Sequence, residues 1–232
     1  MISVVIPTFN EEDQITKTIL EVKKRDVLNL ISEVIISDGQ STDDTINLAK
    51  KSGATVFLGP KKGRAAQMNF GASKAKNEII YFLHADSIPP ENFSEKILET
   101  YKKNYKSGCF RLKFDNDHWF LKANAWFTKF DVNAIRFGDQ SLFVTKEIFQ
   151  KARGFDEKLL MMEDQEIIAR LKKHGQFLVM DGAVTTSARK YLDNGIYRMQ
   201  GIFFKIWFLY YLGYSQEKLL KIYKRLIRKS KL

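Results

Sequence analysis

Short apolar runs alternate with amphipathic segments over the N-terminal part of the chain. The runs are rich in β-branched and aromatic side chains, which is typical of strands buried on both faces of a sheet; they cover residues 3–6, 33–37, 55–58 and 78–83. Between them, the spacing of apolar positions predicts helices over residues 12–25, 43–51 and 64–76. This alternation predicts an α/β fold with a doubly wound, mostly parallel sheet flanked by helices.

The second half of the chain has a less regular pattern. It predicts strands over residues 108–114, 141–144 and 176–180, and helices over residues 119–130 and 162–174. Two further helices are predicted over residues 194–212 and 217–227, the second with Ser215 as a candidate N-cap. We expect one domain over residues 1–190, with the aromatic and basic helices of residues 191–232 packed on it.

Polar, charged and glycine residues follow each of the four N-terminal strands. These segments are residues 7–12, 38–43, 59–64 and 84–86. In open α/β sheets, ligands bind beyond the carboxyl ends of the strands. The coincidence at four successive strand ends therefore indicates a ligand site at that edge of the sheet.

Composition is ordinary for a globular protein, with 44% hydrophobic and 28% charged residues. Cys109 is the only cysteine, which excludes an intrachain disulfide and suits a reducing compartment. The chain starts in a strand pattern rather than a signal peptide. Its most apolar stretch, residues 202–214, falls short of the roughly 20 residues that span a bilayer. These features predict a cytoplasmic protein without a transmembrane helix.

The formal net charge of +11 has two interpretations. It reflects either solvated lysines or attraction to a polyanion, such as a nucleoside diphosphate, an anionic lipid or a nucleic acid. The sequence contains no recognisable nucleic-acid-binding module, and carboxylates at strand ends suit a polyanion groove poorly. We therefore expect no nucleic-acid partner.

Four motifs resemble those of family-2 glycosyltransferases. They read VIPTFNEE at residues 5–12, SDGQSTDDT at 37–45, HAD at 84–86 and MED at 162–164. The phrases RFGDQ at 136–140 and TSAR at 186–189 are similar to a compact bacterial branch of that family without membrane spans. The resemblance implies a GT-A fold with a nucleotide-binding half over residues 1–100 and an acceptor half over 101–190. It also implies a nucleoside-diphosphate-sugar donor, a Mn²⁺ or Mg²⁺ cofactor and inversion at the anomeric centre, but it does not identify the acceptor.

The resemblance assigns a set of residues to the nucleotide sugar. In this sequence they are Pro7, Thr8, Asn10, Glu11, Asp38, Arg64, Asn69, Ala85 and Asp86. Asp38 would accept a hydrogen bond from the base, a role that suits an ionised carboxylate. Asp43 is better interpreted as the N-cap of the next helix.

A basic turn precedes the third predicted helix. A helix N-terminus with cations nearby is a natural diphosphate site, and Arg64 is the candidate ligand there. For Lys61 and Lys62, a solvated basic turn is an equally good interpretation.

His84 and Asp86 stand where related enzymes carry the Asp-x-Asp motif that holds the cation. Two residues apart in an extended segment, both side chains would point to one face. One aspartate suffices for Mg²⁺, which uses one or two carboxylates together with phosphates and water. Imidazole at position 84 would favour Mn²⁺, although a histidine at a strand end is more often packed than ligating.

The acidic pair Glu163 and Asp164 matches the position of the catalytic base in inverting family-2 enzymes. By the resemblance, Asp164 is the base and Glu163 orients the acceptor or the metal, because adjacent helical residues point in different directions. The other interpretation is that both are acidic residues of a first helical turn, where the macrodipole favours them. Glu166 and Arg170, four residues apart, are expected to pair on the helix face.

Three later residues are weaker candidates. Asp139 and Gln140 precede a strand and either face the acceptor or pack a loop. Arg189 is placed near the leaving diphosphate by family analogy, and a guanidinium binds phosphate oxygens in a bidentate manner.

The C-terminal helices also have two interpretations. A basic amphipathic helix beside an aromatic one can lie on an anionic membrane surface, here the inner face of the membrane. Alternatively, both helices pack their apolar faces on the domain and leave the lysines, Lys229 among them, in water.

Two other functions share parts of the pattern. A sugar-nucleotide nucleotidyltransferase would also use a parallel sheet and a metal-binding aspartate, but it typically has a glycine-rich loop where PTFNEE stands here. The other alternative is a binding-only relative of the glycosyltransferases. It is motivated by His84, which stands where the Asp-x-Asp motif has its first aspartate.

Overall fold

The computed structural model describes residues 1–133, 136 and 138–228. Phe137 and Lys229, which belong to two of the segments discussed above, lie outside the described residues. Within these ranges, eight strands form one sheet in the order β3-β2-β1-β4-β7-β6-β8-β5. The strands are β1 Ile2–Thr8, β2 Ile31–Asp38, β3 Thr55–Leu58, β4 Ile79–Phe82, β5 Ser87–Ile88, β6 Ser107–Phe114, β7 Leu142–Thr145 and β8 Phe177–Thr186.

Helices flank the sheet and continue to the C-terminal end of the described chain. They are α1 Glu12–Lys24, α2 Thr45–Lys51, α3 Arg64–Lys74, α4 Phe93–Lys102, α5 Trp119–Phe127, α6 Lys146–Lys151, α7 Glu163–Leu171, α8 Arg189–Asn194, α9 Ile196–Tyr211 and α10 Gln216–Leu226. A short 3₁₀ turn, Gly138–Gln140, precedes β7.

Strands β3, β2, β1 and β4 are parallel neighbours, as the alternating pattern predicts. Strand β7 then runs antiparallel to both β4 and β6, while β6 and β8 are parallel. The predicted class, a mixed α/β sheet flanked by helices, is confirmed. Because β1, β2 and β4 point the same way, their carboxyl ends and the loops that follow lie at one edge.

Several elements differ from the sequence pattern. Strand β8 continues to Thr186, beyond the predicted end at residue 180. Its register against β6 shifts after Phe110 and skips Asp181 and Gly182. Such an irregularity interrupts the period-two alternation by which a strand is recognised. Helices α4 and α6 and the two-residue strand β5 are absent from the predicted elements. In α4, Phe93 and Ile97 lie buried at helical spacing.

Two hydrophobic clusters cover the faces of the parallel strands, and a third joins the C-terminal helices to the domain. In the third cluster, Leu112 of β6 and Leu121 of α5 pack with Ile202 of α9 and Tyr223 of α10. Helices α9 and α10 therefore bury one apolar face on the body of the protein. No helix in the described residues is both long enough and apolar enough to cross a bilayer.

Candidate active site

The loops after β1 and β2 are tied together around Asp38. Thr8 and Asp38 are register partners at the ends of these strands. The Asp38 carboxylate is buried: its Oδ2 accepts hydrogen bonds from the hydroxyls of Thr8 at 2.9 Å and Ser41 at 2.6 Å, and its Oδ1 accepts one from Ser41 N at 2.8 Å. Asp38 thus holds the shape of this edge through contacts that the sequence motif did not reveal.

The PTFNEE loop exchanges further hydrogen bonds with the second loop. Asn10 has a left-handed backbone conformation; its N–H donates to Ser41 Oγ, and its side-chain oxygen accepts from Thr42 N. Glu11 N donates to Thr45 Oγ1 at 2.8 Å. Two of the residues assigned to the nucleotide sugar, Asn10 and Glu11, therefore lie in a loop that is hydrogen-bonded to the loop after β2 and to the start of α2.

Asp43 accepts hydrogen bonds at the starts of two helices, but it is not the N-cap that the sequence predicts for α2. Its carboxylate accepts hydrogen bonds from Thr45 N at 3.1 Å and Glu12 N at 3.2 Å, the first residues of α2 and α1. Helix α2 begins at Thr45 rather than at the predicted residue 43, so the N-cap position itself belongs to Asp44.

Gln67 of α3 is a buried residue of this edge that sequence reasoning missed. Its Nε2 donates to Thr8 O at 2.5 Å and to Ser37 O at 3.0 Å, and so joins the helix to β1 and β2. A Cβ at Gly39 would lie 2.8 Å from that nitrogen, which explains the glycine. A glutamine on a helix is ordinarily exposed, so the sequence carries no signal for this role.

Arg64 meets the acidic pair across the site. Its guanidinium Nη1 lies 3.2 Å from Glu163 Oε1 and 3.6 Å from Asp164 Oδ2. Arg64 is the first residue of α3 and Glu163 the first of α7, so two helix N-termini meet here. The structure thus joins a predicted diphosphate ligand to the predicted base.

The electrostatic environment distinguishes the two carboxylates of the pair. Burial and the charge of Asp164 raise the pKa of Glu163 to about 7, and the charge of Arg64 only partly opposes this. Conversely, although burial opposes it, the pair raises the pKa of Arg64 above its ordinary value. The side chain of Glu163 is 4% exposed and that of Asp164 18%, so Asp164 is the more accessible carboxylate.

His84 is paired with Asp139. Its Nδ1 lies 3.1 Å from Asp139 Oδ1, and the imidazole is buried. Burial lowers the pKa of His84, but the hydrogen bond with Asp139, together with the charges of Asp139 and Asp164, outweighs it and raises the pKa overall. The same contact lowers the pKa of Asp139 against the effect of its own burial.

The expected extended geometry of the HAD segment is wrong. Strand β4 ends at Phe82, and Ser87 N donates to His84 O at 3.1 Å, which closes a turn around Ala85 and Asp86. A turn forms because Ala85 is anchored in the core, where its carbonyl accepts from Thr18 Oγ1 at 2.6 Å. The predicted sugar-nucleotide residue Ala85 therefore contributes its backbone to packing.

Asp86 carries the features expected of a cation ligand. Burial and the charge of Asp139 raise the pKa of Asp86, so the Asp139 carboxylate stands close enough to disfavour ionisation of Asp86. A divalent cation would relieve that repulsion. In the described part of the chain, no three His, Cys, Asp or Glu side chains converge on one point. The carboxylates of Asp86 and Asp139 are hard oxygen donors, which suit a cation that takes its remaining ligands from phosphate and water.

The side-chain amides of Asn69 and Gln140 form hydrogen bonds with backbone groups of the protein. The Asn69 amide donates from Nδ2 to Phe155 O at 2.9 Å and accepts from Phe155 N at 2.8 Å, and so holds the loop before α7. Gln140 is buried and donates to Phe110 O at 3.1 Å. For Gln140, the structure supports the loop-packing interpretation.

Arg189 reaches the site from the opposite side. Its Nη2 lies 3.7 Å from Glu11 Oε2, so the TSAR phrase faces the PTFNEE loop, as the assignment of both to one site requires. Lys190, which sequence reasoning missed, is exposed next to it, and its charge lowers the pKa of both Asp86 and Asp139. Its position directly after Arg189 was the available signal.

The basic turn before α3 is mostly solvated. Lys61 is exposed and pairs with Glu157 at 3.2 Å, while Lys62 lies over the ring of Phe9 at 5.1 Å. On α7, Glu166 and Arg170 form the expected ion pair, with Arg170 Nε donating to Glu166 Oε1 at 2.6 Å.

Comparison with known proteins identifies the family. The sequence profile of glycosyl transferase family 2 matches residues 3–160, and the chain belongs to this family. An uncharacterized glycosyltransferase of Rickettsia typhi is 36% identical over 96 residues, which are 41% of this chain and 31% of the relative. A dolichyl N-acetyl-α-D-glucosaminyl phosphate 3-β-D-2,3-diacetamido-2,3-dideoxy-β-D-glucuronosyltransferase of Methanococcus voltae is 29% identical over 109 residues, 44% of this chain and 34% of the relative. The matches span about a third of these relatives.

Solved structures share the fold. Staphylococcus aureus TarS, residues 1–349 in complex with UDP, superposes with a TM-score of 0.67 at 18% identity, over 80% of this chain and 60% of that one. The mannosyltransferase PcManGT of Pyrobaculum calidifontis, in complex with GDP-Man and Mn²⁺, gives 0.65 at 15% identity, over 80% of this chain and 56% of that one. The predicted GT-A fold is confirmed.

Proposed function

We propose that the protein is a glycosyltransferase that moves a sugar from a nucleoside-diphosphate-sugar donor to an acceptor hydroxyl, with a divalent cation and with inversion. One observation carries the proposal: Arg64, the candidate diphosphate ligand, lies 3.2 Å from Glu163 and 3.6 Å from Asp164. The candidate diphosphate ligand and the candidate base therefore lie side by side at the carboxyl ends of the parallel strands, where α/β proteins bind ligands.

The donor's nucleoside would lie along the joined loops after β1 and β2. Pro7, Thr8, Asn10 and Glu11 line this edge, and Asp38 holds it through Thr8 and Ser41. The diphosphate would meet Arg64 from α3 and Arg189 from α8. Both guanidiniums now pair with carboxylates, Glu163 and Glu11 respectively, so an incoming diphosphate would exchange one anionic partner for another.

The cation would be held by Asp86 and the diphosphate, and His84 has only its Nε2 left for a metal because Nδ1 contacts Asp139. A bound Mn²⁺ or Mg²⁺ would offset the charge that develops on the leaving nucleoside diphosphate. Asp139, paired with His84, keeps the imidazole in place and adds negative charge on the side of Asp86. Lys190 and Arg64 supply positive charge around the same group.

Asp164 is the proposed general base. It is the more accessible member of the acidic pair, and an ionised carboxylate next to the acceptor would take the hydroxyl proton as the new C–O bond forms. Glu163, with a pKa raised to about 7, is partly protonated near neutral pH and can donate a hydrogen bond to the acceptor or to Asp164. A single base and a single displacement leave the anomeric configuration inverted.

Donor turnover tests the proposal directly. The protein would be incubated with UDP-, GDP-, dTDP- and CDP-sugars and Mn²⁺, with nucleoside diphosphate release as the readout and Asp164→Asn as the matched control. Release by the native chain and its loss in the variant would support the proposal, and NMR of the product would report inversion or retention. A nucleotidyltransferase would instead form pyrophosphate from a nucleoside triphosphate and a sugar phosphate. A binding-only relative would bind nucleotide, seen by thermal shift, without release.

A further inference from the structure

Helix α9 is apolar on two opposite sides. One side faces the third hydrophobic cluster and is buried; it consists of Met199, Ile202 and Ile206. The other side is exposed and aromatic, and its members recur at helical spacing along four turns: Tyr197, Phe204, Phe208 and Tyr211. A helix that is hydrophobic all round is normally covered on every side. The exposed aromatic side of α9 is therefore apolar surface that no other part of the described chain covers.

Helix α5 repeats this arrangement. Leu121 and Ala125 are buried in the same cluster, while Trp119, Trp126 and Phe127 are exposed, with Phe130 just after the helix. The two helices meet near their N-terminal ends, where the ring of Phe120 lies 4.9 Å from that of Tyr197. We call their exposed rings together the aromatic face; it comprises Trp119, Trp126, Phe127, Phe130, Tyr197, Phe204, Phe208 and Tyr211.

Lysines and arginines accompany the aromatic face. Residues 118–130 contain Lys122 and Lys129 and no acidic residue, and Lys122 pairs with the exposed, flanking Asp117 at 2.7 Å. Residues 194–228 contain seven lysines and arginines against the single acidic residue Glu217. Lys129 Nζ lies 3.5 Å from the centroid of the Trp126 ring, so a cation sits directly on the face. The segments that carry the aromatic face, and α10 after them in the chain, therefore have a net positive charge.

We propose that the aromatic face seats the protein on an anionic lipid bilayer, with α5 and α9 lying in the plane of the interface. Tryptophan and tyrosine rings prefer the headgroup level of a membrane, and lysines beside them are attracted to anionic lipid. A second copy of the chain is a poorer occupant, because two faces of this kind would bring like charges together.

In this proposal, the C-terminal basic helix α10 is not the membrane-binding element, in contrast to the interpretation from the sequence. Of the apolar residues of α10, Leu219 and Tyr223 are buried against the protein, and Leu220, Ile222 and Leu226 are half-buried. Helix α10 therefore follows the packing interpretation and contributes only its lysines to the surface. The contact belongs to α5 and to the outer side of α9.

The aromatic face is close to the candidate active site in the sequence. Arg189, which contacts Glu11, begins α8, and α8 leads directly into α9. If the proposed glycosyl transfer holds, the face would bring the acceptor side of the cleft to the membrane, where an acceptor attached to lipid is presented. The seating itself depends only on the face, and it can be measured without donor or turnover.

Sedimentation with vesicles tests the proposal. The native chain should pellet with phosphatidylglycerol-containing vesicles at low salt, pellet far less with pure phosphatidylcholine, and be released as salt screens the charge. Phe204→Ser with Phe208→Ser should lower the partition coefficient at least about tenfold, because two rings would no longer be buried in the interface. Because both rings are exposed, we expect the double variant to fold like the native chain, and thermal unfolding would check this.

A matched control removes apolar surface elsewhere. Val27 and Leu28 are 60% and 61% exposed, comparable with Phe204 at 62%, and lie in the loop after α1. Val27→Ser with Leu28→Ser should leave vesicle binding unchanged, and UDP or GDP binding should be the same in all three proteins. The proposal would be overturned by absence of pelleting at low salt, by equal binding of both double variants, or by a dimer in solution that Phe204→Ser with Phe208→Ser converts to a monomer.

Discussion

The guanidinium of Arg64 lies 3.2 Å from the carboxylate of Glu163, and this ion pair joins the N-termini of α3 and α7. Helix N-termini attract anions, so both ends would favour a bound diphosphate. Without such a ligand, Arg64 offsets part of the negative charge of the acidic pair. The contact would therefore link occupation of the proposed donor site to the electrostatic state of the proposed base.

Replacing Arg64 should weaken binding of the donor. Arg64→Gln is expected to raise the dissociation constant for UDP or GDP by about 10- to 100-fold, the usual range for a lost charge-assisted hydrogen bond. Isothermal titration would measure it. Lys61→Gln is the matched control, because Lys61 is exposed and pairs with Glu157. Equal losses in the two variants would contradict a specific role for Arg64.

Replacing Asp164 should affect the chemical step. Asp164→Asn is expected to lower kcat by at least about 100-fold and to leave nucleotide affinity nearly unchanged, because a general base acts mainly in the transition state. Steady-state kinetics and nucleotide titration would separate the two quantities. A variant that lost nucleotide affinity but kept its kcat would show that the role is misassigned.

Asp86 should be needed for turnover with a cation. Asp86→Ala is expected to abolish nucleoside diphosphate release and to weaken diphosphate binding, since the cation that offsets the leaving-group charge would lose its carboxylate. Excess EDTA should silence the native protein, and added Mn²⁺ or Mg²⁺ should restore it. Full turnover in EDTA would refute the assignment.

The buried carboxyl of Glu163 should make stability depend on pH. Its pKa is raised from 4.5 to about 7, so ionisation is harder in the folded than in the unfolded chain. The favourable contribution of the neutral group is complete below about pH 4.5 and is lost as pH rises through 7. Glu163→Gln keeps this side chain neutral at every pH, so the variant does not lose that contribution to stability. It should therefore stabilise the protein at pH 8.5, by about 3 kcal/mol at most, and have little effect near pH 5.

Urea unfolding of both proteins at the two pH values would measure this difference in the free energy of unfolding. Because both chains share all other titrating groups, the general effect of net charge cancels in the comparison. A difference that is the same at pH 5 and pH 8.5 would show that Glu163 is not held in an environment that disfavours its charge.

Much of the fold follows from local pattern. The β-branched runs of β1, β2 and β4 identify buried strands because a side chain's preference for a pleated, buried surface is a local property. Strand–helix alternation then makes the sheet parallel, and this places residues 7–12, 38–43 and 84–86 at one edge. The acidic pair of α7 is likewise visible in a short stretch of sequence.

Contacts between distant segments were not visible. Arg64 and Glu163 are 99 positions apart, and no periodicity encodes their distance; it arises when α3 and α7 are placed around the same sheet. Gln67 and Gln140 are polar residues that the packed chain buries and satisfies with backbone carbonyls. Residue type predicts exposure for both, because a buried amide is stable only where the fold happens to supply its hydrogen-bond partners.

The same reasoning separates the two C-terminal helices. Apolar spacing alone made α9 and α10 equivalent candidates for packing or for a membrane. Burial distinguishes them: α10 uses its apolar residues against the protein, whereas α9 uses one apolar side there and exposes another. A sequence shows how much apolar surface a helix has, but the area that its neighbours cover depends on how the whole chain packs.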